Sequence, residues 1–285
     1  MDADAGAVFT RARKRIFGIA YRMLGSRAEA EDVVQETWLR WREVELSTVL
    51  DAEAYLATIA TRLAINALTS ARARRETYVG PWLPEPIDTS DDPHLGAERS
   101  EALEIGVLML LERLSAKERA SYVLSEAFDY SYARIAEILD VNEANARQLA
   151  ARARQHLEGE RRARVSDQER SRFLYAFLAA AQKGDVGTLE QLLAAGIVSY
   201  SDGGEKVSAT RLPVTGRTRV AKFVASFVTK LWAGVTSELI TASGAPALRL
   251  RRDGVTFGIL AFDVSAEGID RIFWVLNPDK LQTFA

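Results

Sequence analysis

The sequence predicts a multidomain protein in which two small all-α domains are followed by an α+β domain. Three observations carry that reading. A chain of 285 residues is long enough to build two or three separate cores. Apolar residues recur at helical spacing from Ala7 to about Arg164, with one proline-rich interruption. Beyond Ser166, Gly, Val, Thr and Ser rise and short strand-like runs appear.

The first domain spans residues 7–77. Val8, Ile16, Ile19, Ala20, Met23 and Leu24 form one apolar stripe, which Gly25-Ser26 breaks. Ser26 can cap a second helix, with Glu29 three residues on completing a capping box, and that helix runs through Ala30, Val33, Val34, Thr37, Trp38 and Trp41. A third, from about Asp51 to Arg75, is capped by Asp51 and buries Tyr55, Leu56, Ile59, Leu63 and Leu68. The stretch Gly80-Pro81-Trp82-Leu83-Pro84-Glu85-Pro86 cannot be helical, because proline fixes the backbone and removes N–H donors. With the acidic run after it, residues 78–97 read as a linker.

A second helical block follows over residues 98–164. Within it Tyr132–Leu139 is a short helix with Ile135, Ala136 and Leu139 facing inward. A turn through Asp140 and Val141 leads to Asn142 as N-cap, and the next helix buries Ala146, Leu149, Ala150 and Ala153. Arg147, Gln148, Arg152 and Arg154 then fall on the outer side, with Asn145 near the N-terminus. Arg with Gln or Asn is the side-chain set that hydrogen-bonds base edges in the major groove, where a helix-turn-helix inserts its second helix. The pattern is degenerate, and an αα-hairpin with a soluble basic face satisfies it equally. Residues 166–285 form the third domain, with a helix over 172–182 and strands over 196–201, 247–251, 255–264 and 269–276.

Composition narrows the chemistry. The absence of cysteine excludes a disulfide framework, thiolate metal sites, iron–sulfur clusters and thiol catalysis. No apolar run approaches about 20 residues and no signal-like N-terminus is present, so a cytoplasmic protein without a membrane span is expected. A net charge of −2 argues against a nucleic-acid partner only as an average. Residues 62–75 carry Arg62, Arg72, Arg74 and Arg75 with no acid, residues 145–157 are basic, and the linker carries the acids.

Several segments together resemble a known family. Residues 28–40, Ala-Glu-Ala-Glu-Asp-Val-Val-Gln-Glu-Thr-Trp-Leu-Arg, resemble the polymerase-binding segment of bacterial sigma factors of the extracytoplasmic-function (ECF) group. Tyr55 to Asn66 with the Arg72–Arg75 cluster resembles that group's −10 promoter segment, and Leu114 to Arg119 with the helix-turn-helix its −35 reading domain. A subgroup carries a C-terminal SnoaL-like (NTF2-like) cone domain and three short motifs. The first, Trp-Leu-Pro-Glu-Pro, is matched by residues 82–86. The second is nearly matched by Asp202-Gly203-Gly204-Glu205-Lys206, where Glu205 stands for a glycine. The third is matched by Asn277-Pro278-Asp279-Lys280-Leu281. Asn66 also departs from the aspartate common at its position.

The resemblance implies an alternative sigma factor, not an enzyme, with no cofactor and no metal, whose partners are promoter DNA and RNA polymerase core (β′ coiled coil and β flap). Asp32, Gln35, Glu36 and Trp38 are the implied polymerase contacts. Arg62, Asn66, Arg72, Arg74 and Arg75 would hold the −10 strand, and Asn145, Arg147, Gln148 and Arg152 the −35 element. Trp82, Pro84, Asp202, Gly203, Gly204, Lys206 and the Asn277–Leu281 tail would regulate activity in cis, with Lys206, Asp279 and Lys280 making charge contacts to the first domain or the linker. Two other classes stay open: a helix-turn-helix regulator whose SnoaL-like pocket senses an unknown small ligand, and a cyclase using Asp202, Asp263 or Asp270 as base. The two histidines, His94 and His156, fall outside the third domain.

Overall fold

The computed structural model describes residues 2–90, 103–158, 165–228 and 232–284. The acids Asp91, Asp92 and Glu98, with Pro93, His94 and Arg99, lie outside the described residues, as do both ends of the second helical block at 98–102 and 159–164. Two compact units result. One holds residues 2–77, 103 and 107–158, and the other residues 78–90, 104–106 and 165–284.

The helices are α1 (Asp2–Leu24), α2 (Arg27–Arg42), α3 (Ala52–Glu76), α4 (Ile105–Leu111), α5 (Ala116–Phe128), α6 (Tyr132–Leu139) and α7 (Glu143–Glu158). Gly25 stops α1 at φ 66°, a conformation that costs other residues their Cβ clearance. Ser26 then accepts the Glu29 N–H at 3.4 Å and Asp51 the Ala54 N–H at 3.0 Å, each satisfying a donor that the helix start leaves over. Ile16, Ile19, Met23 and Leu24 of α1 are buried with Val33, Val34 and Trp41 of α2 and Leu56 and Leu68 of α3. The Trp41 indole donates to the Ala5 carbonyl at 3.0 Å, which lets the whole ring go inside.

Burial on α3 is narrower than its sequence suggests. Tyr55 is 38% exposed, and Ile59 and Leu63 are half-buried. Small residues instead make the seam: Ala57, Ala60, Thr61, Ala64 and Ala71 are buried on α3.

In the second block Ser115 and Glu118 complete a capping box at the start of α5. Asp140, left-handed at φ 52°, ends α6. Asn142 accepts the Asn145 N–H at 2.8 Å and starts α7. Ile135, Ala136 and Leu139 are buried, as are Ala146, Leu149, Ala150 and Ala153, so α6 and α7 form the helix-turn-helix that the spacing predicts.

The second unit contains α8 (Asp167–Lys183), α9 (Val186–Leu192), β1 (Leu193–Asp202), β2 (Val214–Thr215), α10 (Arg217–Ala225), β3 (Val235–Ala242), β4 (Ala245–Arg252), β5 (Val255–Ser265) and β6 (Gly268–Val275). They build one sheet in the order β2-β1-β6-β5-β4-β3, with β1 and β6 parallel and the other pairs antiparallel. The sequence located four of these strands and missed β2, β3, α9 and α10. β3 is an edge strand whose residues are mostly exposed, so it lacks the alternation that marks a half-buried strand.

Helix α8 covers one face of the sheet. Phe177 meets Phe262 edge-on at 4.8 Å between centroids, Trp232 lies 6.2 Å from Trp274, and the Trp274 indole donates to Ser199 Oγ at 3.1 Å. The proline stretch belongs to this unit. Leu83, Pro84, Glu85, Pro86 and Ile87 are buried, Thr89 N donates to Thr241 O at 3.0 Å, and Ser243 N donates to Ile87 O at 2.7 Å. These bonds cover the end of β3, an edge that would otherwise present open backbone.

Candidate nucleic-acid interface and the linker clip

Helix α7 presents its outer residues to solvent. Asn145, Arg147, Gln148 and Arg152 are all exposed. Arg147 pairs with Glu143 one turn earlier at 2.9 Å, and its guanidinium lies 5.1 Å from the Tyr132 ring. Arg154, expected on the same outer side, turns away. It pairs with Glu126 at 2.6 Å and bonds Tyr132 Oη at 2.8 Å, which ties α7 to α5 and α6. Sequence spacing placed it outward because it sees only the helix itself, not the acid on the neighbouring helix.

The α3 set behaves differently. Asn66 is exposed. Arg62 donates to the Ile138 carbonyl at 2.9 Å and to the Glu137 carbonyl at 3.1 Å. Arg72 bonds the Leu114 carbonyl, Arg74 pairs with Glu29, and Arg75 pairs with Glu112 and bonds the Leu24 carbonyl. Glu112 also takes the fully buried Arg119, whose Nε donates to Arg22 O at 3.0 Å. Burial works to raise the Glu112 carboxyl, but Arg119 and Arg75 overcome it and hold it below the usual range. Glu112 and Arg119 escaped the sequence reading as a pair, since nothing in their spacing says that α3 comes to meet them.

On α2, Asp32 and Gln35 are exposed, and Glu36 makes a partly exposed pair with Arg40 at 3.0 Å. Trp38 is half-buried against Phe9 at 4.9 Å, and Leu39 is 53% exposed. The helix thus shows a polar edge beside an apolar one.

In the α+β unit, the three short motifs converge on one carboxylate. Asp202, fully buried, accepts from Tyr78 Oη at 2.5 Å, Leu83 N at 2.8 Å, Gly204 N at 3.2 Å and Lys280 Nζ at 2.7 Å. Lys280 also donates to the Leu83 carbonyl at 2.5 Å, with its ammonium 4.4 Å from the Trp82 ring centroid. Asn277 caps the turn over Pro278–Lys280 and donates to Tyr78 Oη at 2.8 Å. Burial, then Asp202, raise the Tyr78 phenol above its ordinary value. Pro84 and Leu281 are buried beside these groups, while Gly203 lets the chain turn back toward Val207, whose N–H bonds its carbonyl at 3.1 Å.

Two expectations are corrected here. Lys206 and Asp279 pair with each other at 2.6 Å on the surface, rather than with the first domain or the linker. Asp263 is no free base: it pairs with Arg271 Nε at 2.6 Å across β5 and β6, while its neighbour Phe262 takes the inward face. Asp202, one of the residues that the resemblance implies for regulation, is the centre of the network. A cleft of about 420 Å³ adjoins it, lined by Val79, Gly80 and Ser201 and by residues of the 203–211 loop.

The Sigma-70 region 2 family matches residues 8–74, and the Sigma-70, region 4 family matches residues 106–157. The two helical blocks are therefore sigma-70 modules, and a helix-turn-helix regulator, which would account for the second alone, is not favoured. The ECF RNA polymerase sigma factor SigJ of Mycobacterium tuberculosis is 35% identical over 233 residues, covering 80% of this chain and 74% of that protein. A probable ECF sigma factor, SigI of the same species, is 28% identical over 94% of this chain and 92% of its own length. The crystal structure of SigJ superposes with a TM-score of 0.77 at 30% identity, over 96% of this chain and 97% of that one. The chain belongs to the ECF group of RNA polymerase sigma factors, with an α+β domain following its two helical modules.

Proposed function

We propose that this protein is a cytoplasmic, non-enzymatic initiation subunit that binds RNA polymerase core, carries it to specific promoters and helps open them. The exposed Arg/Gln face of α7 on a well-capped helix-turn-helix is the observation that carries the reading. Arg147, Gln148 and Arg152 would read the −35 element in the major groove, with Asn145 supporting the helix start. Arg62, Arg72, Arg74 and Arg75 would contact the −10 strand through phosphate, which sets affinity more than sequence, and exposed Asn66 would meet a base edge. Asp32, Gln35 and Glu36 would face the basic residues of the β′ coiled coil, with Trp38 and Leu39 supplying buried area, and the second module would lie against the β flap.

The α+β unit would act in cis. The Asp202 network ties the proline stretch to it, so the tail at 277–281 sets how that stretch is held. The side chains of Phe177, Phe262, Trp232 and Trp274 pack the space between α8 and the sheet, which favours regulation through contacts over chemistry on a bound substrate.

Run-off transcription with core polymerase tests the proposal. Full-length protein should give promoter-specific transcripts, and truncation near residue 165 or residue 276 should change their yield. If the full chain gives no transcript above core polymerase alone on any template from a random promoter library, the reading fails.

A further inference from the structure

Residues 206–237 are the longest run of the chain without an acid, and they carry Lys206, Arg211, Arg217, Arg219, Lys222 and Lys230. Asp279 from the tail neutralises Lys206. Arg211, in the loop before β2, and Arg217, Arg219 and Lys222 of α10 are exposed, and among the described residues none of the four has an acid partner. Exposed arginines in the helical modules are met by an acid: Arg13 by Glu31, Arg40 by Glu36 and Arg147 by Glu143.

Helix α10 builds most of this face. Val220, Ala221 and Val224 are buried in the core of the α+β unit, so positions 218, 219, 222 and 226 fall on the opposite side. They hold Thr218, Arg219, Lys222 and Ser226, all exposed: two cations flanked by two hydroxyls. Arg217 opens the same helix, and β2 with Gly216 joins it to the loop that carries Arg211. Two arginines in a first turn also stand against the helix dipole, whose N-terminal end is positive. Like charges gathered without counter-charges repel, and a polyanion relieves them. Cations with hydroxyls beside them are the side chains that contact backbone phosphate.

From this face we infer that the α+β unit itself binds promoter DNA, through the phosphate backbone and without reading sequence. Duplex DNA carries one negative charge per ~1.7 Å of its axis, which complements a surface of several unpaired cations. Residues 159–166 alone join α7 to α8, and at full extension they span about 30 Å. Once α7 holds a promoter, neighbouring duplex is therefore at high effective concentration for Arg211, Arg217, Arg219 and Lys222, and even weak contacts count. The inference rests on the sigma-factor reading and adds a third DNA contact to those of the two helical modules.

Holoenzyme made with the full-length chain tests it through the salt dependence of promoter binding. One variant carries Arg211→Gln, Arg217→Gln, Arg219→Gln and Lys222→Gln. A second carries Arg211→Lys, Arg217→Lys and Arg219→Lys, and so keeps the charge. The duplex is a promoter selected from the random library, with a copy scrambled at both elements as reference. The glutamine variant should lower the slope of log affinity against log salt by about two to four, since each lost phosphate contact removes about 0.9. It should weaken binding to both duplexes alike, and the lysine variant should keep the parent slope. A glutamine variant with the parent slope overturns the inference, as does weakening confined to the promoter. Weaker binding of the glutamine variant to core polymerase without DNA also overturns it, and gives the face to an acidic surface of the polymerase. A parent holoenzyme that binds promoter and scrambled duplex equally overturns the sigma-factor reading on which the inference rests.

Discussion

The Lys280 ammonium meets the Asp202 carboxylate at 2.7 Å, with the lysine side chain 10% exposed and the aspartate not at all. Two charges taken out of water in this way are tolerable only because the remaining valences are filled. Tyr78, Leu83 N and Gly204 N complete the aspartate, and the Leu83 carbonyl and Trp82 ring complete the lysine. The pair is thereby a joint between the proline stretch, the end of β1 and the tail after β6.

Removing one partner should expose how unequal the two are. Asp202→Ala orphans four donors at once and should cost about 3–5 kcal/mol, the usual result of leaving a buried charge uncompensated. Lys280→Met should cost clearly less, because Asp202 keeps its other three donors. Urea unfolding followed by the fluorescence of Trp232 and Trp274 in the α+β unit measures both. Equal losses would mean that neither residue dominates the joint, and a larger loss from Lys280→Met that the lysine organises it.

Tyr78→Phe deletes a donor to Asp202 and the acceptor for Asn277, and a loss of about 1–3 kcal/mol is expected. The alkaline limb gives an independent check. The phenol is raised by burial and then by Asp202, so its contribution is complete below the unfolded value near 10 and declines as pH rises toward the folded value. The parent should therefore lose stability above about pH 10 more steeply than the Phe variant. Parallel curves would show that Tyr78 does not titrate in this window.

The helical half of the molecule was legible because its signals are local. Caps at Ser26, Asp51 and Asn142 and the stripes between them depend on residues three or four apart. The exposure of Asn145, Arg147, Gln148 and Arg152 on α7 was legible for the same reason. What spacing could not show is a partner supplied by distant chain. Arg154 finds Glu126, Arg62 finds the end of α6, and Asp202 finds Tyr78 and Lys280, 124 and 78 residues away. Edge strand β3 was lost because its exposed face and its partial cover from the proline stretch leave no period to read.

Glu112 should make the helical pair sensitive to acid. Its carboxyl is held low by Arg119 and Arg75 against the effect of burial, so its contribution is present above the unfolded value near 4.3 and is lost as pH falls toward the folded value. Glu112→Gln should lower stability at neutral pH and flatten the acid limb, since the group that titrates is gone. Thermal melts of parent and variant between about pH 3 and 7 measure the difference. A variant with an acid limb as steep as the parent's would assign the effect to other carboxylates.

Arg147 is the most informative single residue on the reading face. Its pair with Glu143 is exposed at both ends, 65% and 52%, so releasing it to reach DNA costs only a few tenths of a kcal/mol. A base contact would then add about 1–3 kcal/mol and be specific to one position of the −35 element. A phosphate contact would weaken binding to all sequences alike and lower the slope of affinity against salt by about one. Arg147→Ala, measured as holoenzyme against a panel of −35 variants at two salt concentrations, separates these. We expect loss of preference at one base pair with little change in salt slope, because Arg147 lies one turn into α7, where a recognition helix meets base edges. Uniform weakening with a reduced slope would move Arg147 to the backbone and leave Gln148 and Arg152 as the readers.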